Sequence, residues 1–546
     1  MNDRISANIV DVLNRRIFPG TIYWKDKTIE RIEPDDAKYD TYVMPGFVDA
    51  HVHIESSMLV PSEFSRLASG HGTVATVSDP HEIANVMGIE GIKYMIGDAL
   101  RSAVKIHFGA PPCVPATQFE TSGAKLGVEE VAQLCAMDQI KYLSEVMNFP
   151  GVIGRDSDML GKIAAAKRWA KRVDGHAPGL RGEMARKYFA AGIETDHECF
   201  TIEEAREKAS LGVKILIREG SAARNFEALW PLLKERPDAC MFCTDDMHPD
   251  ALEVGHINQL VARAVANGVV TMHALQCACI NPVQHYGLNV GLLRPGDPAD
   301  FIHVRDLKSF EVMNTWIDGQ LVAGHGKAHR SSLSHANINR FEATEKQPSD
   351  FFVENRAGTV RVIDVIEGQL VTREFRWKPS AELKSLQSDL SQDVLKISVV
   401  ERYGGNKMAV GFIRGFGLKR GAIASSVAHD CHNIVAVGTS DEQLCRAVNA
   451  VIRHRGGLAV VDGETENVLP LPVAGIMSDG EGHTVARQYA TIDQLAKNLG
   501  SPLRAPFMTL SFMALLVIPS LKLSDRGLFD GEQFKFVDLF TQDNQS

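Results

Sequence analysis

The sequence predicts an α/β fold: a (β/α)8 barrel of the TIM type, a small β-sandwich built from both barrel flanks, and an additional C-terminal α+β domain. Three observations point there. From about residue 70 to 285, short β-rich runs alternate with amphipathic helical runs. Several of the predicted strands end in histidines or carboxylates, which a barrel would gather on one rim. No glycine-rich phosphate loop follows the first strand, which disfavours the nucleotide-binding open sheet that the same alternation allows.

Strand one is read from Val43-Met-Pro-Gly-Phe-Val-Asp-Ala-His-Val-His53, an apolar run that ends in His51 and His53. Positions i and i+2 of a strand share a face, so both imidazoles point the same way. The following strands are read at 73–78, 104–109, 140–147, 172–176, 193–197, 213–218 and 239–244. Helical patterns between them include 159–171, 182–191, 202–211, 226–234 and 256–267, and Gly192, Gly212 and Gly268 stand where helix C-caps are wanted. Together these make about eight βα units, the number a barrel of this type needs.

The flanks read differently. Short strand patterns at 17–24 and 28–32 surround a turn at Lys25-Asp26-Lys27, and similar runs return at 300–304 and 312–323. A barrel's two ends lie close in space. Residues 1–42 and 290–330 are therefore expected to pair as one composite β-sandwich around a catalytic barrel at 43–289. A polar stretch at 324–350 reads as a surface crossing, and residues 350–546 carry enough apolar pattern for a C-terminal domain.

With 546 residues, the chain is too long for one core, and its 45% hydrophobic and 23% charged residues are ordinary for a soluble protein. A net charge of -10 argues against nucleic-acid or anionic-membrane partners, and no nucleic-acid-binding module is apparent. The nine cysteines are odd in number and scattered, so no disulfide framework is expected, and Cys240-x-x-Cys243 reads as part of a buried strand. The start, Met-Asn-Asp-Arg, lacks an apolar signal core, and the late apolar run at 512–518 is too short to span a bilayer. A reducing cytoplasm is the expected location.

The strand ends carry the chemistry. Strand four ends in Leu143-Ser144-Glu145, strand five in Asp174-Gly175-His176, strand six in Thr195-Asp196-His197 and strand eight in Thr244-Asp245-Asp246. A lone histidine at a strand end is usually a hydrogen-bonded core residue, so the weight lies in the constellation. Four imidazoles and two carboxylates exceed what one ion needs while keeping an open position. His51, His53, Glu145, His176, His197 and Asp245 are therefore read as ligands of two divalent ions. Glu145 would bridge them, His51 and His53 would share one ion with Asp245, and His176 and His197 would hold the other. A nitrogen and oxygen set without thiolate suits zinc, manganese or iron. Two such ions lower the pKa of a bridging water, and Asp245 is placed to take its proton and hand it to a leaving group.

This pattern resembles the amidohydrolase superfamily. Many of its two-metal members bridge the ions with a carboxylated lysine on strand four. Here Lys141 lies at the start of that strand and Glu145 occupies its rim, which favours a glutamate-bridged branch over the dihydropyrimidinases and dihydroorotases. Longer strings resemble the bacterial adenine deaminases over nearly the whole chain. They are Gly46-Phe-Val-Asp-Ala-His-Val-His-Ile-Glu-Ser-Ser57, Ser78-Asp-Pro-His-Glu-Ile-Ala-Asn-Val86, Thr244-Asp-Asp-Met-His-Pro249, Ser425-Ser-Val-Ala-His-Asp-Cys-His-Asn433 and Leu469-Pro-Leu-Pro-Val-Ala-Gly-Ile-Met-Ser-Asp479.

The resemblance implies hydrolysis of adenine to hypoxanthine and ammonia, a purine-salvage reaction, with manganese or iron as the ions and zinc as the alternative. It also implies a homo-oligomer, with a dimer as the expected assembly. A second acid must protonate the purine ring nitrogen. Glu55 is the first candidate, with Glu82 and Glu219 behind it, and a salt bridge or a helix N-terminal role explains each about as well. His81 lines the pocket, binds a ligand, or orients a metal ligand by a hydrogen bond. Asp246 and His248 are candidates for reading the purine's polar edge. His429 and His432, with Asp430 between them, belong to another domain. They either close over the barrel mouth or form a separate structural cluster. Two rivals stand beside this reading: another C–N hydrolase acting on a cyclic amide or an N-acetyl sugar, and a non-catalytic scaffold, which the complete ligand set disfavours.

Overall fold

The computed structural model describes residues 3–221, 223–356 and 358–541. Eight parallel strands surround the centre: β1 (Phe47–Val52), β2 (Thr73–Ser78), β3 (Lys105–Ala110), β4 (Ile140–Val146), β5 (Arg172–Gly175), β6 (Thr195–Asp196), β7 (Lys214–Arg218) and β8 (Cys240–Cys243). The first five pair in order as one sheet and the last three as another. Backbone hydrogen bonds join the two sheets at both seams. Glu194 N donates to Val173 O at 2.9 Å on one side; Asp245 N donates to His51 O at 2.9 Å and His53 N to Asp245 O at 3.2 Å on the other. This arrangement fits a TIM-type barrel. β1 and β2 are buried along their whole length, as strands covered on both faces must be. Gly192 and Gly212 each take a positive φ where a helix hands over to the next strand, and Gly268 does so between two helices.

The continuous first strand expected over 43–53 is in fact broken at Gly46. Tyr42–Pro45 leaves the barrel to pair with Asp3–Asp11 on one side and Phe301–Val304 on the other. The break falls at glycine for a steric reason: a Cβ there would lie 2.2 Å from Cγ1 of Val74 in β2. Both flanks join through this segment. Their strands form one hydrogen-bonded path of eight, from Lys327–Ala328 at one edge to Thr28–Pro34 at the other. The run expected as one strand at 312–323 is two, Val312–Ile317 and Gln320–Gly324, folded back at Asp318 and Gly319, which both have positive φ.

The C-terminal residues build a nine-stranded sheet. Helix Asp441–Arg453 lays Leu444, Ala447, Val448 and Val451 on one face, against Val400, Ala424 and Ala436. Ile397, Val399, Val435 and Val437 join a core continuous with that of the barrel. The C-terminal unit is thus packed onto the barrel. Among the described residues, no helix is long and apolar enough to cross a membrane.

Gly46→Ala is expected to destabilise the protein by about 1–3 kcal/mol through overpacking against Val74. Adding Val74→Ala should restore part of the loss in thermal unfolding. A double variant no more stable than Gly46→Ala would refute the steric reading.

Candidate active site

The strand ends converge as the spacing predicted. Glu145 ends up at the centre, and its two oxygens divide the imidazoles between them. Oε1 lies 3.3 Å from His53 Nε2 and 3.3 Å from His81 Nδ1. Oε2 lies 2.6 Å from His176 Nδ1 and 3.2 Å from His197 Nε2. Asp245 Oδ1 faces His53 Nε2 at 3.2 Å and His51 Nε2 at 3.6 Å, and the two Nε2 atoms are 3.2 Å apart. All six predicted ligands are buried.

The local fold aims these groups. The Asp79 carbonyl accepts from His53 Nδ1 at 3.1 Å, which turns Nε2 toward the centre. Asp79 Oδ2 accepts from Glu145 N at 3.3 Å, and the Tyr188 hydroxyl ties His176 N to the carbonyl of Val146. Beneath β8, Asp49 accepts from Thr244 N and lies 3.1 Å from His256 Nε2, whose other nitrogen meets Thr73 Oγ1 at 2.6 Å. Asp245 itself has φ of 59°, a left-handed conformation that aspartate tolerates better than most residues and that clusters at functional sites.

Burial opposes charge on Asp245, yet Arg218, His51 and His53 hold its carboxyl well below the usual range. Glu145 is likewise held well below it against burial, by His176 and His197. The donor set suits divalent cations. Two ring nitrogens that face each other beside a carboxylate oxygen leave lone pairs opposed under hydrogen bonding alone, and a cation among them satisfies both. The groups that fall close enough to share an ion include His51 with His53 and Asp245, and His51 with Glu145 and His197.

The C-terminal unit roofs this centre. A cavity of about 30 Å³ is lined by the rim residues below and by Leu370, His429, Asp430, Phe512 and Leu515 above. His429 Nδ1 meets Glu82 Oε1 and His432 Nε2 meets Glu82 Oε2, so both histidines belong to the barrel mouth, as one of the two expectations held. His81 lies 3.2 Å from Asp430 Oδ1 as well as beside Glu145. Asp246 lines the cavity and accepts from Ser56 Oγ at 2.5 Å.

Three expected residues lie elsewhere. Glu55 is buried next to the site but does not line the cavity: its Oε1 accepts from Ile83 N at 3.2 Å, and burial pushes its carboxyl up to about 7. Glu219 turns away into ion pairs with Arg263 at 2.7 Å and Arg224 at 3.4 Å. His248 lines a neighbouring cavity with its ring against Tyr489.

Residues 42–322 match the amidohydrolase family and residues 369–535 the adenine deaminase C-terminal domain. Proteins named adenine deaminase align over 98% of this chain. That of a Sulfurovum species is 56% identical over 99% of its own length, that of Salinibacter ruber 54% over 98%, and that of Methanosarcina mazei 51% over 99%. The chain belongs to the adenine deaminase family.

The site also holds groups that the strand-end reading passed over. Arg218 closes β7, and its guanidinium bridges Asp245 Oδ2 and Glu198, with NH2 2.9 Å from Glu198 Oε2. Glu198 follows His197 directly, and its Oε1 lies 3.5 Å from that ring's Nε2. Strand seven's end was the available signal: a buried arginine at a rim of carboxylates is as informative as a histidine.

Glu145→Gln removes the charge that both imidazole groups share. Metal analysis of the purified variant should find fewer bound ions than in the wild type. Unchanged metal content would contradict a bridging carboxylate.

Proposed function

We propose that this protein hydrolyses adenine to hypoxanthine and ammonia. The observation that carries the reading is the division of four imidazoles between the two oxygens of Glu145, in a chain alike from end to end to adenine deaminases. His51, His53, Glu145, His176, His197 and Asp245 would hold two divalent ions, manganese or iron first and zinc as the alternative, with Glu145 at the centre of the set. Such ions, when bound, lower the pKa of water and so supply hydroxide near neutral pH.

The chain does the rest. Asp245, kept ionised by Arg218, accepts the proton of the attacking water and delivers it to the amine that departs from C6. The ring nitrogen beside C6 needs a proton as the tetrahedral centre forms. Glu82, on the cavity wall, raises the pKa of the neighbouring His429 to about 9 against its burial, and that imidazolium is placed to supply it, the role first expected of Glu55. His81, Asp246 and His429 offer polar atoms to the edge of the base. Phe512, Leu370 and Leu515 give its face an apolar roof and keep water out.

On this reading the chain divides into a composite β-sandwich domain of residues 1–42 and 290–330, a closed (β/α)8 catalytic barrel at 43–289, and a C-terminal domain at 350–546. It works on a free base, as a homo-oligomer of which a dimer is the simplest form. Its nine buried free thiols suit a reducing cytoplasm.

Manganese-loaded protein should release ammonia and hypoxanthine in equal amounts from adenine, and neither cleave dihydroorotate nor deacetylate an N-acetyl sugar. Turnover of either of the latter without adenine would overturn the reading. Asp245→Asn should keep most of the metal and lose roughly 10²–10⁴ in kcat. Near-wild-type turnover in that variant would remove Asp245 from proton transfer.

A further inference from the structure

The catalytic cavity, at about 30 Å³, has no room for a purine as it stands, and a base must reach it from outside. A second cavity of about 500 Å³ lies on the other side of one short stretch of chain. Asp246 lines the catalytic cavity, while Met247 and His248 line the second one, so residues 246–248 form the wall between the two. The far side of this second cavity is built from the C-terminal unit by Tyr489, Asp493, Arg504 and Ala505. It therefore sits at the seam between barrel and C-terminal unit, next to the rim.

Its chemistry suits a neutral planar heteroaromatic. The His248 ring is 2% exposed, its Nδ1 has no hydrogen-bond partner, and the ring meets Tyr489 with centroids 4.5 Å apart. Burial, with a smaller contribution from His429, drives the pKa of His248 down to about 3, so it offers an uncharged imidazole. The charges around it are largely cancelled in pairs. Glu219 takes Arg263 at 2.7 Å and Arg224 at 3.4 Å, and Asp493 takes Lys497 at 2.5 Å. Asp250 and Arg504 add one charge of each sign. Such a lining has no concentrated field for an anion, yet presents donors and acceptors to the edges of a base and ring surface to its face. The wall itself is held by hydrogen bonds: His248 N donates to Ser221 Oγ at 2.8 Å, Ser221 N to Asp246 O at 2.8 Å, Ser56 Oγ to Asp246 Oδ1 at 2.5 Å, and Ala251 N to His248 O at 3.1 Å.

We propose that this cavity is the antechamber through which the purine base enters the catalytic cavity and the product leaves, with His248 as the residue that receives the base. The proposal rests on the adenine-hydrolase reading above. It also explains why His248 lies off the catalytic cavity although it follows Asp245 so closely in sequence.

Ala505 lines the antechamber and takes no part in the chemistry. In full-length, manganese-loaded protein, Ala505→Trp should plug the passage and lower kcat/KM for adenine about tenfold, with metal content and thermal midpoint unchanged. Ala505→Cys tests the site without any turnover. The native cysteines are buried, so a thiol reagent should report on the new one, and hypoxanthine should slow its reaction. Wild-type kcat/KM in the tryptophan variant, together with labelling that hypoxanthine leaves unchanged, would overturn the antechamber. If the wild type does not deaminate adenine, the functional reading fails, and the labelling still decides the purine site: slowing supports it and no slowing removes it.

Discussion

The arrangement at this rim depends on one buried carboxylate. A charge as deeply enclosed as Glu145 is costly unless it is paired. The fold surrounds it with His53 and His81 on one oxygen and His176 and His197 on the other. Those imidazoles come from four different elements. They can reach one carboxylate only because parallel strands curl to bring their C-terminal ends together. Asp79 shows how tightly this is built: its backbone carbonyl orients His53 while its carboxylate receives the backbone of Glu145.

The second consequence concerns the C-terminal unit. Glu82 lies in the helix His81–Met87 that follows β2, and both of its oxygens are taken by histidines from the loop at 426–433, between two strands of the C-terminal sheet. Burial opposes its charge, but His429, His432 and His81 hold it ionised, well below the usual carboxylate range. Without the roof, that carboxylate and the cavity beneath it would face solvent. The added domain is thus part of the wall of the site, and its apolar packing against the barrel core holds the roof in register with the rim.

Much of this was legible in the chain because strand periodicity carries direction. His51 and His53 had to share a face, and the ends of β4, β5, β6 and β8 had to meet on one rim. Legibility stopped where the strands did. Beyond its last paired residue a chain can turn any way, so sequence could not say that Glu55 sits behind the cavity, that Glu219 swings into ion pairs with arginines, or that Glu198 faces inward. The break at Gly46 was hidden for another reason. It comes from the approach of Val74 on the neighbouring strand, a contact no local pattern contains. Arg218 was readable in principle, but a search for metal ligands has no use for a cation. Its role appears only once Asp245 and Glu198 are seen on either side of it.

On this reading the rim is a two-ion centre organised by Glu145 and used for deamination. Titrating metal-free protein with manganese, while following hypoxanthine formation from adenine, tests it most directly. Activity should rise until about two ions are bound per chain and then level off. A plateau at one ion, or full activity before any metal is added, would contradict it.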